Sequence, residues 1–105
     1  MLKRLEAAAE PRPSALLAER KRAIKRLASQ HKARDIKVFG SVVRGDDRPG
    51  SDLDLLVQFA PDASLFDQVE LAQGIEDLLG VHVEVVSVGG LRPDHAEIRA
   101  QARPL

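Results

Sequence analysis

Apolar residues recur at helical spacing in three stretches of the chain. The first predicts a helix from residue 14 to about residue 33, with an apolar stripe made of Leu17, Ile24, Leu27 and Ala28. The second begins at a capping box of Ser64 and Asp67 and ends at Gly80, and its predicted buried stripe is Leu65, Val69, Ala72, Ile75 and Leu79. Pro93 begins a third helix, which we expect to run to about residue 102.

Other stretches alternate between apolar and polar residues, as strands do. They predict strands over residues 35–39, 52–59 and 81–88. One face of the second strand carries Leu53, Leu55, Val57 and Phe59, and its other face carries Asp52, Asp54, Leu56 and Gln58. In the third strand the valines at 81, 83 and 85 share a face, so Glu84 points the opposite way.

These elements follow one another as α-β-β-α-β-α, without an internal repeat. Gly40-Ser41 ends the first strand, one helical turn is expected over residues 42–45, and residues 46–51 form a polar loop. Residues 1–13 are charged, rich in alanine and contain two prolines, and they predict a short lead-in segment. The chain of 105 residues therefore predicts one domain over residues 14–105.

Composition excludes several classes of protein. The chain has no cysteine, which rules out disulfides and cysteine metal sites, and no apolar run reaches the length of a membrane span. We therefore expect a cytoplasmic protein without a membrane partner. Residues 19–37 carry 8 basic and 2 acidic side chains, yet the formal net charge is zero and the only aromatic residues are 3 Phe, so nucleic acid is not the expected partner.

Acidic residues concentrate in the middle of the chain, where residues 45–84 contain 10 acids and one base. Asp52 and Asp54 are two apart on a strand, so both carboxylates project from one face. Nearby carboxylates disfavour each other unless a cation joins them, and Mg²⁺ prefers carboxylate and phosphate oxygens. Glu84, the only acid on the third strand, would complete the set. The pattern predicts a catalytic site for Mg²⁺ or Mn²⁺ made of Asp52, Asp54 and Glu84.

The turn at Gly40-Ser41 predicts a phosphate site. Glycine lets the backbone turn tightly and approach a phosphate, while Ser41 adds a hydroxyl and free N–H groups follow it. Arg44 lies just after the turn, where its fork of donors would suit a triphosphate. A P-loop would require Gly-Lys-Ser/Thr, and an EF-hand loop would require an oxygen ligand at Leu56, so neither explains the pattern.

The residues from Val38 to Gly45, followed by Ser51-Asp52-Leu53-Asp54-Leu55-Leu56-Val57, resemble the signature of the DNA polymerase beta nucleotidyltransferase superfamily. The match is to its small stand-alone members, the minimal nucleotidyltransferases, and it runs from about residue 14 to residue 105. The resemblance implies an α+β fold, with helices packed on a small mixed β-sheet. It also implies metal-dependent transfer of a nucleoside monophosphate, and we expect that group to be AMP taken from ATP. It also implies that Gly40 and Ser41 hold the triphosphate and that Asp52 and Asp54 hold metal. The family often has aspartate where this chain has Glu84.

The resemblance also suggests an acceptor. Minimal nucleotidyltransferases are commonly antitoxins that adenylylate a tyrosine on HEPN-domain toxins, which makes a small helical HEPN-type protein the predicted partner. We expect a chain of this length to lack a separate acceptor domain, so that a partner or a homo-oligomer would complete the site. Two alternatives stay open. One is a catalytically weak antitoxin that acts by contact alone, which Glu84 favours and the Asp52 and Asp54 pair disfavours. The other is transfer to a small molecule such as an aminoglycoside.

Overall fold

The structure is a computed structural model that describes residues 11–105. The predicted lead-in of residues 1–13 lies outside the described residues, apart from its last three positions. No helix within residues 11–105 is long and apolar enough to cross a membrane. The elements, in chain order, are α1 (Pro13–Glu19), α2 (Lys21–Gln30), β1 (Ala33–Phe39), α3 (Ser41–Arg44), β2 (Leu53–Phe59), α4 (Leu65–Leu79), β3 (Val83–Ser87), α5 (Ala96–Gln101) and β4 (Arg103–Pro104), with single 3-10 turns at Val88–Gly90 and Pro93–His95.

The described strands form one mixed sheet in the order β3-β2-β1-β4. β1 pairs antiparallel with both β2 and β4, whereas β2 and β3 are parallel. Parallel neighbours need a crossover, and α4 supplies it between β2 and β3. The α+β class and the mixed sheet with packed helices are therefore confirmed.

The core lies between one face of this sheet and the helices α1, α2 and α4. The predicted inward residues Leu53, Leu55 and Val57 are fully buried. The helices contribute apolar side chains to the same cluster, namely Leu17, Ile24, Ala28, Leu71, Ile75 and Leu79. Because side chains alternate along β2, this burial turns Asp54 to the opposite face of the sheet.

The predicted helix over residues 14–33 is wrong in its extent. It is two helices, α1 and α2, which meet at Arg20, where φ is −110° and ψ is 15°. No glycine or proline marks this position, so the apolar spacing alone continues through it. At the other end α2 stops at Gln30, Lys32 takes a left-handed φ of 61°, and β1 begins at Ala33, two residues earlier than predicted.

The boundaries of α4 agree with the prediction, but its buried face does so only in the second half of the helix. Ser64 and Asp67 form the predicted capping box, and Gly80 ends the helix in the left-handed conformation. Leu65 and Val69 were expected inside, yet they are 73% and 58% exposed, and Phe66 is exposed with them. The helix instead turns its Leu71, Ile75 and Leu79 row inward. The predicted burial of Ile75 and Leu79 is therefore confirmed. Toward the start of the helix the buried row passes through Gln68, a polar residue that bonds to the sheet, so apolar periodicity misplaced that part of the stripe.

The end of the chain contains a strand that the sequence analysis missed. The predicted helix from Pro93 is a 3-10 turn followed by α5, and it ends one residue early, at Gln101. The two-residue strand β4 follows and pairs Pro104 with Lys37 and Arg103 with Val38. A strand this short shows no alternation, and its pairing depends on residues far away in the chain.

A buried carboxylate ties the loop after α3 to the first helix. Asp47 is 2% exposed, and its Oδ2 accepts a hydrogen bond of 2.8 Å from the backbone N–H of Ser14, in the first turn of α1. It thus caps a helix whose own N-cap residue, Arg12, makes no side-chain cap. Burial opposes ionisation, but hydrogen bonding from Ser14 and the charge of Arg12 outweigh it and hold the pKa of Asp47 below its usual value.

Replacing Asp47 with alanine is expected to lower the free energy of unfolding by about 1–2 kcal/mol at neutral pH, because α1 loses its cap. The folded pKa of Asp47 is lowered, so the carboxylate stabilises the fold above its ordinary pKa of 3.8 and stops doing so as pH falls through the folded value. Urea unfolding curves from about pH 7 to about pH 3 measure the difference. Exposed Asp46 is the control, and equal losses in Asp46→Ala and Asp47→Ala would contradict the capping role.

Candidate active site

The turn at Gly40 is formed by a backbone conformation that belongs to glycine. Gly40 has φ 76° and ψ −150°, a region that residues with a Cβ rarely enter. Its carbonyl accepts hydrogen bonds of 3.1 Å from the N–H groups of Val43 and Arg44, which begin α3. The predicted sharp turn and single helical turn are confirmed, and Ser41 is half-buried at their junction.

The carboxylate of Asp54 lies directly against this turn. A Cβ added to Gly40 would collide with Oδ2 of Asp54, so the contact requires glycine at position 40. Antiparallel pairing of Phe39 with Asp54 places the carboxylate there. The structure thus brings the predicted phosphate turn and one of the predicted metal ligands into contact, although they lie in separate parts of the sequence.

Glu84 stands beside Asp54 on the neighbouring strand. The parallel register of β2 and β3 pairs these two residues directly. Partial burial raises the pKa of Asp54, and it is raised further by the negative charges of Glu84 and Asp52 and by a side-chain hydrogen bond with Glu84. Arg44 opposes the shift. The two carboxyls are therefore close enough to disfavour a second negative charge.

Asp52 is exposed, just before β2 begins, and acts on Asp54 through its charge. Across residues 11–105, no three carboxylate or imidazole groups are arranged so that they could hold a metal ion. The predicted ligands thus form a close pair, Asp54 and Glu84, with Asp52 near it. Their donors are all carboxylate oxygens, the chemistry that Mg²⁺ and Mn²⁺ prefer. The assignment of these residues as metal ligands stays a prediction.

Arg44 lies near the acidic pair of Asp54 and Glu84, but its side chain pairs with Asp46 instead. Its Nε lies 3.4 Å from Oδ2 of Asp46, and both side chains are more than half exposed. An exposed ion pair of this kind is weak, so the guanidinium is free to exchange Asp46 for another anion. Its partial effect on the pKa of Asp54 shows that the positive charge reaches the acidic pair.

Two side chains of α4, which the sequence analysis missed, hold the strand that carries Glu84. β3 is an edge strand, and Oε2 of Glu76 accepts a hydrogen bond of 3.0 Å from the N–H of Val83. Nε2 of Gln68 donates one of 3.1 Å to the carbonyl of Val85. Both bonds satisfy backbone groups on either side of Glu84. The only hint in the sequence is a polar Gln68 in line with the apolar residues of α4.

Gln101 is a further residue that the sequence analysis missed. Its Oε1 accepts a hydrogen bond of 2.7 Å from the N–H of Gly40. The two residues are 61 positions apart, so no local pattern links them.

The chain is similar in sequence to a known protein family and to a known enzyme. Residues 20–105 match the family model described as nucleotidyltransferase domain. Protein adenylyltransferase MntA of Thermococcus cleftensis is 41% identical over 68 residues, which cover 65% of this chain and 69% of the relative.

Solved structures give the same result for the fold. A structure described as a proposed minimal nucleotidyltransferase has a TM-score of 0.78 and 43% identity, over 88% of this chain and 95% of the other. A chain in the crystal structure of a toxin–antitoxin pair with AMP-PNP has a TM-score of 0.67 and 25% identity, over 77% and 68% of the two chains. The polymerase beta-like fold implied by the sequence is therefore confirmed.

The contact between Gly40 and Asp54 predicts unequal effects of two similar substitutions. Gly40 and Gly45 both have positive φ, but open space surrounds a Cβ at Gly45. Gly45→Ala is expected to cost about 1 kcal/mol, the penalty for a left-handed alanine. Gly40→Ala should cost about 2 kcal/mol more, because it adds a collision and a rarer conformation. Urea unfolding of both variants measures this, and equal costs would mean that Asp54 moves aside freely.

Asp54→Asn is expected to leave the metal-free fold as stable as before, or up to about 1 kcal/mol more stable, at neutral pH. Because the folded pKa of Asp54 is raised, wild-type stability from this group is full below its ordinary pKa and is lost as pH rises through the folded value. The advantage of the variant should therefore appear on raising the pH. Thermal unfolding in EDTA tests this, with exposed Glu70→Gln as the control. A large loss would make Asp54 a structural residue.

Proposed function

The chain belongs to the nucleotidyltransferase domain family, and we propose that it transfers AMP from ATP to a hydroxyl group of a partner protein. The observation that carries the proposal is the contact between Gly40, at the predicted phosphate turn, and the Asp54 carboxylate, which itself pairs with Glu84. A triphosphate at the turn would lie beside two carboxylates. The adenylyltransferase relative supports AMP as the transferred group.

Gly40, Ser41 and Arg44 are the proposed nucleotide-binding residues. The absent side chain at Gly40 allows the tight turn and lets the Asp54 carboxylate lie against it, and the half-buried Ser41 offers its hydroxyl at the same turn. Arg44 is exposed and weakly paired, so it can turn its guanidinium to phosphate oxygens in a bidentate manner. These groups would orient the triphosphate so that its α-phosphorus faces the acidic pair.

Asp52, Asp54 and Glu84 are the proposed ligands of Mg²⁺ or Mn²⁺, because they supply only oxygen donors and the charges of Asp52 and Glu84 disfavour ionisation of Asp54 in the absence of a cation. The described residues do not hold the three carboxylates together as one set, so the exposed Asp52 would have to close on the pair of Asp54 and Glu84. A bound divalent ion would neutralise phosphate charge and polarise the reacting phosphoryl group. In the transfer itself, the acceptor oxygen forms a bond to the α-phosphorus, the bond to the bridging oxygen breaks, and pyrophosphate leaves with that electron pair. The acceptor proton would pass to a carboxylate of the site that acts as general base.

The proposed acceptor is a tyrosine of a HEPN-type toxin. A chain of a toxin–antitoxin pair crystallised with AMP-PNP, an analogue of ATP, shares this fold with 25% identity. Another similar chain belongs to a structure of a tri-AMPylated HEPN toxin in complex with its antitoxin. The 105 residues contain no tyrosine, so a tyrosine acceptor must be provided from outside them.

ATP is expected to bind with substantially higher affinity when Mg²⁺ or Mn²⁺ is present, because the acidic pair repels a bare triphosphate. Calorimetric titration of ATP, with Mg²⁺ and then with EDTA, measures the difference. The affinity should fall by at least about tenfold in EDTA, and Asp54→Asn should reduce this dependence. Equal affinity in the two conditions would remove the metal site from the proposal.

Transfer is tested by incubating the chain with ATP, Mg²⁺ and the protein encoded by the neighbouring gene, followed by intact-mass spectrometry. We expect additions of AMP on the partner, reduced at least about 100-fold in Asp52→Ala. Glu84→Asp should change the rate markedly but ATP affinity little, because the turn at Gly40 is untouched. Inhibition of the partner without any mass change, and undiminished in Asp52→Ala, would support the contact-only module instead.

A further inference from the structure

We infer that Gln101 is a positioning residue for the nucleotide site, acting through the backbone of Gly40; the inference rests on the proposed nucleotide-binding role of the turn. Its Oε1 accepts the N–H of Gly40 at 2.7 Å. The carbonyl of Gly40 accepts the hydrogen bonds that begin α3, and its missing side chain leaves the space that Asp54 occupies. Fixing its peptide therefore fixes Ser41 relative to Asp54.

The hydrogen bond from Gly40 to Gln101 stands where a longer β4 would have paired with β1. β4 pairs with one edge of β1 through Arg103 and Pro104, opposite Val38 and Lys37, and the N–H of Leu105 continues this edge by donating to Ile36. Extending the antiparallel register places position 101 opposite Gly40. At that point the backbone belongs to α5, so it cannot form the ladder bond. The side-chain carbonyl of Gln101 takes its place.

Gly40 needs this partner because it is buried. A backbone N–H away from water is costly when it lacks an acceptor, and Gly40 has no side chain through which packing could hold its conformation. Without Gln101, the peptide at the end of β1 would rotate toward water or another acceptor. Such a rotation moves the Ser41 hydroxyl and alters the contact with Asp54.

The acceptor is itself held firmly. Ala102, the next residue, is 7% exposed, and β4 follows it directly. Gln101 is thus the last residue of α5 and precedes a buried residue and a paired strand, with little freedom to withdraw. An amide also accepts the bond without adding a charge, which suits a turn that already contacts Asp54 near Glu84 and Asp52.

Gln101→Met removes the acceptor while keeping the length of the side chain. We expect the dissociation constant for ATP with Mg²⁺ to rise about five- to tenfold, the equivalent of one lost hydrogen bond, at unchanged stoichiometry in calorimetry. Gln73→Met is the matched control, since Gln73 is an exposed helical glutamine whose side chain donates to Asp77 in the same helix. Ile24→Val removes one core methyl and controls for general loss of stability.

The Gly40 amide gives a readout that needs no nucleotide. Its hydrogen exchange should accelerate at least about tenfold in Gln101→Met and remain near wild type in Gln73→Met and Ile24→Val. A merely structural residue would lower the melting temperature and leave ATP affinity unchanged in the fraction that is folded. Unchanged affinity within about twofold, or unchanged exchange at Gly40, overturns the inference about Gln101. If wild type fails to bind ATP with Mg²⁺, the nucleotide function itself fails, and the inference fails with it even if exchange at Gly40 responds as expected.

Discussion

The absence of a side chain at position 40 is the constraint on which the site depends. It allows the carboxylate of Asp54 to lie against the backbone where β1 ends, a place that a Cβ would occupy. The turn, the start of α3 and the pairing of β1 with β2 must all satisfy that one contact. The predicted phosphate turn and the predicted metal ligand Asp54, which are separate in the sequence, consequently lie in contact.

Helical side chains complete the edges of the sheet on both sides of this contact. Glu76 and Gln68 of α4 satisfy the outer edge of β3 next to Glu84, and Gln101 satisfies β1 at Gly40. An edge strand has unpaired backbone groups that require partners. In a small domain these three side chains replace additional strands, and they act at the residues that border the site. The same three hydrogen bonds therefore satisfy backbone groups at the edges of the sheet and hold the residues that border the site.

The carboxylates of the site repel one another in the folded chain. Asp54 is partly buried beside Glu84 and Asp52, so its pKa is raised and ionisation of all three groups is disfavoured. Such an arrangement is a poor choice for stability alone, since an asparagine would remove the repulsion at little cost. It is reasonable at the proposed site of a nucleotidyltransferase, where a bound divalent cation would offset the repulsion between the carboxylates. The family match over residues 20–105 is consistent with that explanation of the conflict.

The parts of the molecule that the sequence predicted correctly depend on local chemistry. Alternation in β2 gave the buried face of Leu53, Leu55 and Val57 and so the opposite face of Asp54, and the Ser64 and Asp67 box with Gly80 gave the ends of α4. The turn at Gly40-Ser41 was recognisable because its two residues are adjacent, and Asp52 and Asp54 were recognisable because they are two apart along one stretch of chain.

Features that depend on distant contacts could not be predicted in this way. The break at Arg20 has no glycine or proline, β4 is too short for periodicity, and the inward row of α4 includes polar Gln68. The sequence predicted that Asp54 and Glu84 share a site, but their direct pairing follows from strand register. The bond from Gly40 to Gln101 joins residues 61 positions apart. Local sequence sets which residues can turn, alternate or cap, whereas burial and register, which form only when the sheet and helices pack together, select the partners of each group.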